Sequence, residues 1–190
     1  MKNIFKSLMI VVLFVGLGSS AFAQTGTGSA ELTASAKVLT NLTIAQESPL
    51  NFGNLSATTL GDVVVDPTTA AVHTNTGVVT VGQMTITGNP GSTVQLAYEE
   101  TITLLNGETP LSNGAEGIFT LNVIGGLNQG NAETKDANSS IVLATEADVA
   151  SSAATTAGEA YLWVGGNLGT LATAATGTYT GTATFTVIYN

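Results

Sequence analysis

The chain has no cysteine, no arginine and one histidine among its 190 residues. Without cysteine there is no disulfide, no thiolate nucleophile, no cysteine-ligated zinc and no lipid-modified cysteine. One histidine excludes multi-histidine metal centres. The basic residues are Lys2, Lys6, Lys37 and Lys135, set against 13 acids. Nucleic-acid binding needs a cationic surface that displaces phosphate counterions, and this chain lacks one. Aromatics are scarce: 6 Phe, 4 Tyr and 1 Trp. Charged residues make up only 9% of the sequence, but 44% is hydrophobic, so the composition is not that of a disordered chain.

Residues 1–23 read as a secretory signal. Lys2 and Lys6 give a positive start, Leu8 to Leu17 is apolar apart from Gly16, and Ala21-Phe22-Ala23 supplies a small-x-small cleavage pattern. The apolar run is too short to cross roughly 30 Å of hydrocarbon. The expected mature chain is residues 24–190, a single domain, and no integral membrane segment is expected in it. It keeps 2 lysines against 13 acids, a net charge of −11. That charge favours solubility and opposes anionic membranes.

Beyond the signal the dominant period is two, the mark of half-buried strands. Ala30, Leu32, Ala34, Ala36 and Val38 alternate with Glu31, Thr33, Ser35 and Lys37. Val94, Leu96 and Tyr98 alternate with polar neighbours, as do Phe119, Leu121 and Val123. Tyr179, Gly181, Ala183, Phe185, Val187 and Tyr189 form one face of a last strand, and a threonine-rich row forms the other. Gly88-Asn89-Pro90-Gly91 and Asn106-Gly107 are turn signals. Gly125-Gly126 and Gly165-Gly166 read as strand-ending turns that need positive φ. Thr145, three residues before Asp148, marks a short capped helix. Many short strands with turns between them, and no helices to carry parallel crossovers, predict an all-β antiparallel sandwich of immunoglobulin-like type.

Candidate chemistry is thin. His73 has no second ligand nearby. Glu99-Glu100 is an adjacent acidic pair, but neighbours on a strand point to opposite faces, so they read as solvated strand-end charges. Asp62, Asp66 and Asp136 match no calcium-loop spacing. No metal, cofactor or catalytic residue is expected, and no enzyme activity. Tyr161 and Trp163 share a strand face and make the best candidate sugar platform, although core packing is the plainer reading. An outer-membrane barrel needs aromatic girdles and lipid-facing bands, which the threonine-rich faces do not supply.

Three pieces carry a resemblance: Asn51-Phe52-Gly53-Asn54-Leu55, Thr85-Ile86-Thr87-Gly88-Asn89-Pro90-Gly91, and Trp163-Val164-Gly165-Gly166-Asn167-Leu168 followed by Gly177-Thr178-Tyr179-Thr180-Gly181. In that order they resemble the secreted bacterial family catalogued as domain of unknown function 4402. The resemblance implies a secreted β-domain without an assigned activity. The carboxyl end is more distantly similar to chaperone–usher pilins and spore coat U domains. That likeness implies an open immunoglobulin-like sandwich, whose groove the next subunit's amino-terminal strand fills. Residues 24–45 would then be the donor segment, with Leu32, Ala34, Ala36 and Val38 as its face. Gly177, Phe185, Val187 and Tyr189 would mark a strand that a periplasmic chaperone pairs with. The disulfide common in such pilins is impossible here. The first strand pairs either within its own subunit or with a neighbour.

The expected role is a non-catalytic surface or structural subunit, exported to the periplasm, cell surface or medium. Its expected partners are other copies of itself and a chaperone and usher. The alternative is a monomeric adhesin or carbohydrate-binding module.

Overall fold

Much of the alternation in the sequence becomes strand pairing. The computed structural model describes residues 33–56, 62–68, 78–112, 116–128, 132–152, 155–171 and 174–190. By its contacts the chain divides into Met1–Lys37 and Val38–Asn190. Of the first unit only residues 33–37 are described, and they are exposed and in no strand.

The second unit contains β1 (Thr43–Ser48), β2 (Asp62–Val65), β3 (Gly82–Thr87), β4 (Thr93–Tyr98), β5 (Thr101–Thr103) and β6 (Leu105–Asn106). These are followed by β7 (Thr109–Pro110), β8 (Ile118–Gly126), β9 (Glu133–Thr134) and β10 (Ser140–Val142). A short helix α1 (Glu146–Ser151) precedes β11 (Glu159–Thr170) and β12 (Phe185–Tyr189). Every named pairing is antiparallel. The larger sheet runs β1-β3-β11-β8-β5, with β2 also on β11 and β9 on β8. The smaller runs β10-β4-β12, and β6 pairs with β7 as a hairpin. The all-β antiparallel sandwich expected from the sequence is the architecture found. No helix among the described residues is long and apolar enough to cross a membrane.

The two sheets share one core. Ile86 and Leu162 come from the large sheet, Val94 and Leu96 from the small one, and all four are fully buried. β11 is the central strand, and its burial is nearly continuous from Leu162 to Leu168. That follows from its neighbours. It pairs with β8 from Tyr161 to Asn167 on one edge. On the other edge it pairs with β3 from Glu159 to Val164 and then with β2 from Gly166 to Thr170.

The changeover explains a glycine pair that the sequence read differently. Gly165 and Gly166 do not end a strand and have no positive φ; they lie inside β11. A Cβ on Gly165 would overlap the Val65 carbonyl oxygen and sit 2.6 Å from Pro67 Cδ. Gly166 lies under the Phe119 and Phe52 rings, which meet edge to face at 5.2 Å. Close approach of β2 and the rings demands glycine here, not a turn. Gly125 and Gly126 likewise belong to the end of β8 without positive φ.

The capped helix is found as expected. The Thr145 side chain accepts from the Asp148 N–H at 3.3 Å, and Asp148 accepts from the Thr145 N–H at 2.7 Å. The Thr145 N–H and the Thr145 hydroxyl, which also donates to the Asp148 carboxylate at 2.7 Å, hold that carboxyl below its ordinary 3.8, with the backbone bond the larger cause.

Gly165→Ala is expected to lower unfolding stability by about 2 kcal/mol in a denaturant titration, the scale of an overpacked core. An NMR titration should place the Asp148 carboxyl below 3.8. A depressed folded value means the box contributes fully above the unfolded pKa and is lost as pH falls through the folded one. Thr145→Ala removes only the hydroxyl bond, so the midpoint should move part of the way towards 3.8 and stay below it.

Candidate functional site: an uncharged edge and the groove beside it

β12 is an edge strand by position. Among the described residues it pairs with β4 alone, in the register Phe185↔Tyr98 through Tyr189↔Val94. The Asn190 N–H donates to the Thr93 carbonyl at 3.0 Å. Backbone direction alternates along an antiparallel strand, so Thr186 and Ile188 also turn their N–H and C=O groups to β4. Phe185, Val187 and Tyr189 turn theirs to the outer edge. Their side chains are half-buried against the core, while Thr186 and Ile188 are exposed.

β1 and β12, end strands of the larger and the smaller sheet, are protected differently. The edge of β1 carries Glu47, a register break between Gln46 and Ser48, and Pro49 just beyond it. Charge, bulge and proline are devices that stop a sheet edge from recruiting another strand. β12 has none of them, and no charged residue follows Glu159 in the sequence.

The terminal alternation runs farther than the ladder. Tyr179 and Ala183 are half-buried, and Thr178, Thr180, Thr182 and Thr184 are exposed, although the strand begins only at Phe185. Thr180 exchanges both backbone bonds with Leu105, each 2.9 Å. The Thr184 N–H donates to Glu99 at 3.1 Å, so Glu99 anchors the entry to β12.

At the other end the Tyr189 hydroxyl ties three parts of the unit. It accepts from the Asn89 N–H at 2.8 Å and donates to the Thr40 carbonyl at 2.9 Å. Phe185 stacks on Tyr98 at 5.2 Å and 12°, and the Tyr98 hydroxyl donates to the Lys135 carbonyl at 2.8 Å. Burial raises the Tyr98 hydroxyl above its ordinary 10.0, with the Glu100 and Asp136 carboxylates adding to it.

Beside the entry to β12 lies a groove of about 720 Å³, between residues 49–56 and 174–181. Leu50, Phe52, Leu104, Leu111 and Leu168 line it, Tyr179 borders it, and among the described residues no charged one takes part. Gly177 is on its rim, pressed against Asn106, where a Cβ would collide. Nothing in the period-two pattern predicted the groove.

The other sequence candidates fall elsewhere. Leu32 and His73 lie outside the described residues. Ala34, Ala36 and Val38 are exposed, Val38 at 92%, and stand in no ladder among the described residues. Tyr161 and Trp163 are neighbours on β11, with ring centres 6.2 Å apart. Trp163 is only 7% exposed, and the Tyr161 hydroxyl donates to Glu159 at 2.7 Å, so the pair is packed into the sheet surface. Asp66 accepts from the Thr68 N–H at 2.7 Å, and Asp62 accepts from the Thr170 hydroxyl at 3.1 Å. Among the described residues no group of three or more His, Asp or Glu is placed to hold a metal.

Residues 42–189 match the family described as Domain of unknown function (DUF4402). The chain belongs to this family. The DUF4402 match starts one residue before β1 and ends with β12, so it takes in the whole sandwich and leaves out residues 33–41. No match is found among curated proteins.

Tyr189→Phe removes both bonds of the hydroxyl and leaves the Asn89 N–H without that acceptor. It is expected to lower stability by about 2 kcal/mol in chemical denaturation, the scale of a lost bond plus an unmet donor.

Proposed function

We propose that this DUF4402 protein is an exported, non-catalytic surface or structural subunit whose copies assemble by strand donation. The observation that carries the reading is the outer edge of β12, which is uncharged, β-branched and unprotected. Main-chain groups on such an edge pair readily with an extended segment, and alternate side chains enter the apolar seam. Export rests on the signal pattern of residues 1–23, and points to the periplasm, cell surface or medium. A chaperone that covers the edge before assembly, and an usher that exchanges it, fit the same geometry. The acidic side chains support a structural role, because Glu99, Asp66 and Asp148 each hold a backbone N–H.

The test is a gel of the native cell envelope probed for this protein, with one sample boiled and one unheated. A donated strand must be extracted whole, so such polymers resist detergent kinetically. The expected result is a ladder that collapses on boiling to one band near the mature mass. A monomer band in both lanes contradicts assembly and leaves the monomeric adhesin.

A further inference from the structure

We infer that Asn106 is a self-modification site: in the folded hairpin β6–β7 it loses its side-chain nitrogen as ammonia to attack by the Gly107 nitrogen, and becomes aspartate or isoaspartate. The inference does not rest on the assembly reading above.

The hairpin presents the two reacting groups in water. Gly107 and Glu108 are the loop residues beyond the Leu105↔Pro110 and Asn106↔Thr109 pairs. Gly107 has φ +62 and Glu108 has no positive φ, the pattern of a type II′ turn with glycine at its first central position. Such a turn aims the Gly107 N–H away from the ladder. A Cβ built on Gly107 would meet nothing within 4 Å, so no neighbour blocks an approach to its nitrogen. Residues 105–110 are all exposed. Among the described residues neither the Asn106 carboxamide nor the Gly107 N–H makes a hydrogen bond. Electrophile and nucleophile are therefore adjacent in the chain and unbonded.

The attack needs Asn106 to rotate out of its extended strand conformation, and this hairpin gives way easily. Pro110 has no N–H to donate. Leu105 spends both of its backbone groups on Thr180, each bond 2.9 Å. The next bond across the hairpin is the Leu111 N–H to the Leu104 carbonyl at 3.0 Å. Between that bond and the turn, only the Asn106↔Thr109 pair can bond across. Opening this one exposed pair frees Asn106 and leaves the core untouched. Exposed ladders of this length open locally far more readily than core strands.

The step balances with water as its one co-reactant. The Gly107 nitrogen bonds to Asn106 Cγ, the Cγ–Nδ2 bond breaks, and the Gly107 proton leaves with Nδ2 as ammonia. Water then opens the five-membered ring. Cleavage of the new bond gives aspartate, and cleavage of the original peptide bond gives isoaspartate. Nothing is oxidised or reduced. The product matters because of its place. The Asn106 amide lies where a Cβ on Gly177 would sit, at the rim of the groove, and Leu105 next to it holds Thr180 on the way to β12. The reaction sets a carboxylate against a rim that has no charge among the described residues, so the rim changes with the age of the protein.

The test holds the full chain folded in mildly alkaline buffer made with oxygen-labelled water, then denatures samples and cleaves them after glutamate. Cuts after Glu100, Glu108 and Glu116 put Asn106 in a different peptide from Asn113-Gly114, which lies outside the described residues. The expected result is that the 101–108 peptide exchanges NH for labelled oxygen with time and becomes a substrate for isoaspartyl methylation, and that Asn106→Gln abolishes both. Tyr189→Phe separates local opening from global unfolding. Its expected destabilisation multiplies the unfolded fraction about 30-fold, yet the rate at Asn106 should stay at the wild-type value. A 101–108 peptide that stays unchanged while urea-unfolded chain converts overturns the inference. A rate that climbs with the unfolded fraction in Tyr189→Phe overturns it as well, because the reaction then belongs to unfolded chains.

Discussion

The β4–β12 ladder is the contact on which the smaller sheet depends. That sheet has only β10, β4 and β12, and its last strand is the last segment of the chain. Without β12 it falls to two strands, too few to cover the large sheet. With β12 in place, Phe185 lies on Tyr98 and closes one side of the core. The strand that completes the sandwich is thus also its open edge. Its inner backbone groups serve the fold, and among the described residues its outer ones enter no ladder.

Polar side chains are used to place that strand. Glu99 holds Thr184 at the entry, and Tyr189 holds Asn89 and Thr40 at the exit. Between the two anchors no charge and no proline interrupts the strand. No charged residue follows Glu159, so the charge beside this strand comes from other segments, as Glu99 shows at Thr184.

Much of the fold is legible in the sequence because half-buried strands repeat every two residues. The faces of β4, β8 and β12 can be read directly, and so can the Thr145–Asp148 capping box. Other features are not local. Gly165-Gly166 reads as a turn because its real cause, the approach of Val65, Pro67 and two rings, comes from elsewhere in the chain. The alternation from Ala34 to Val38 reads as a half-buried strand, but those residues are exposed. Alanine side chains bury too little area to hold a strand in place unaided. The groove escapes the pattern because segments 49–56 and 174–181 meet only in the folded unit. Tyr189 could be placed on the apolar face, but the tie made by its hydroxyl to Thr40 spans almost the whole unit.

Hydrogen exchange along β12 in the isolated monomer tests the account most directly. The account predicts that the amides of Thr186 and Ile188 are protected by β4, and that those of Phe185, Val187 and Tyr189 exchange freely. In assembled material the second set should become protected as well. Equal protection of all five amides in the monomer would mean that the outer edge is already paired, and would contradict the account.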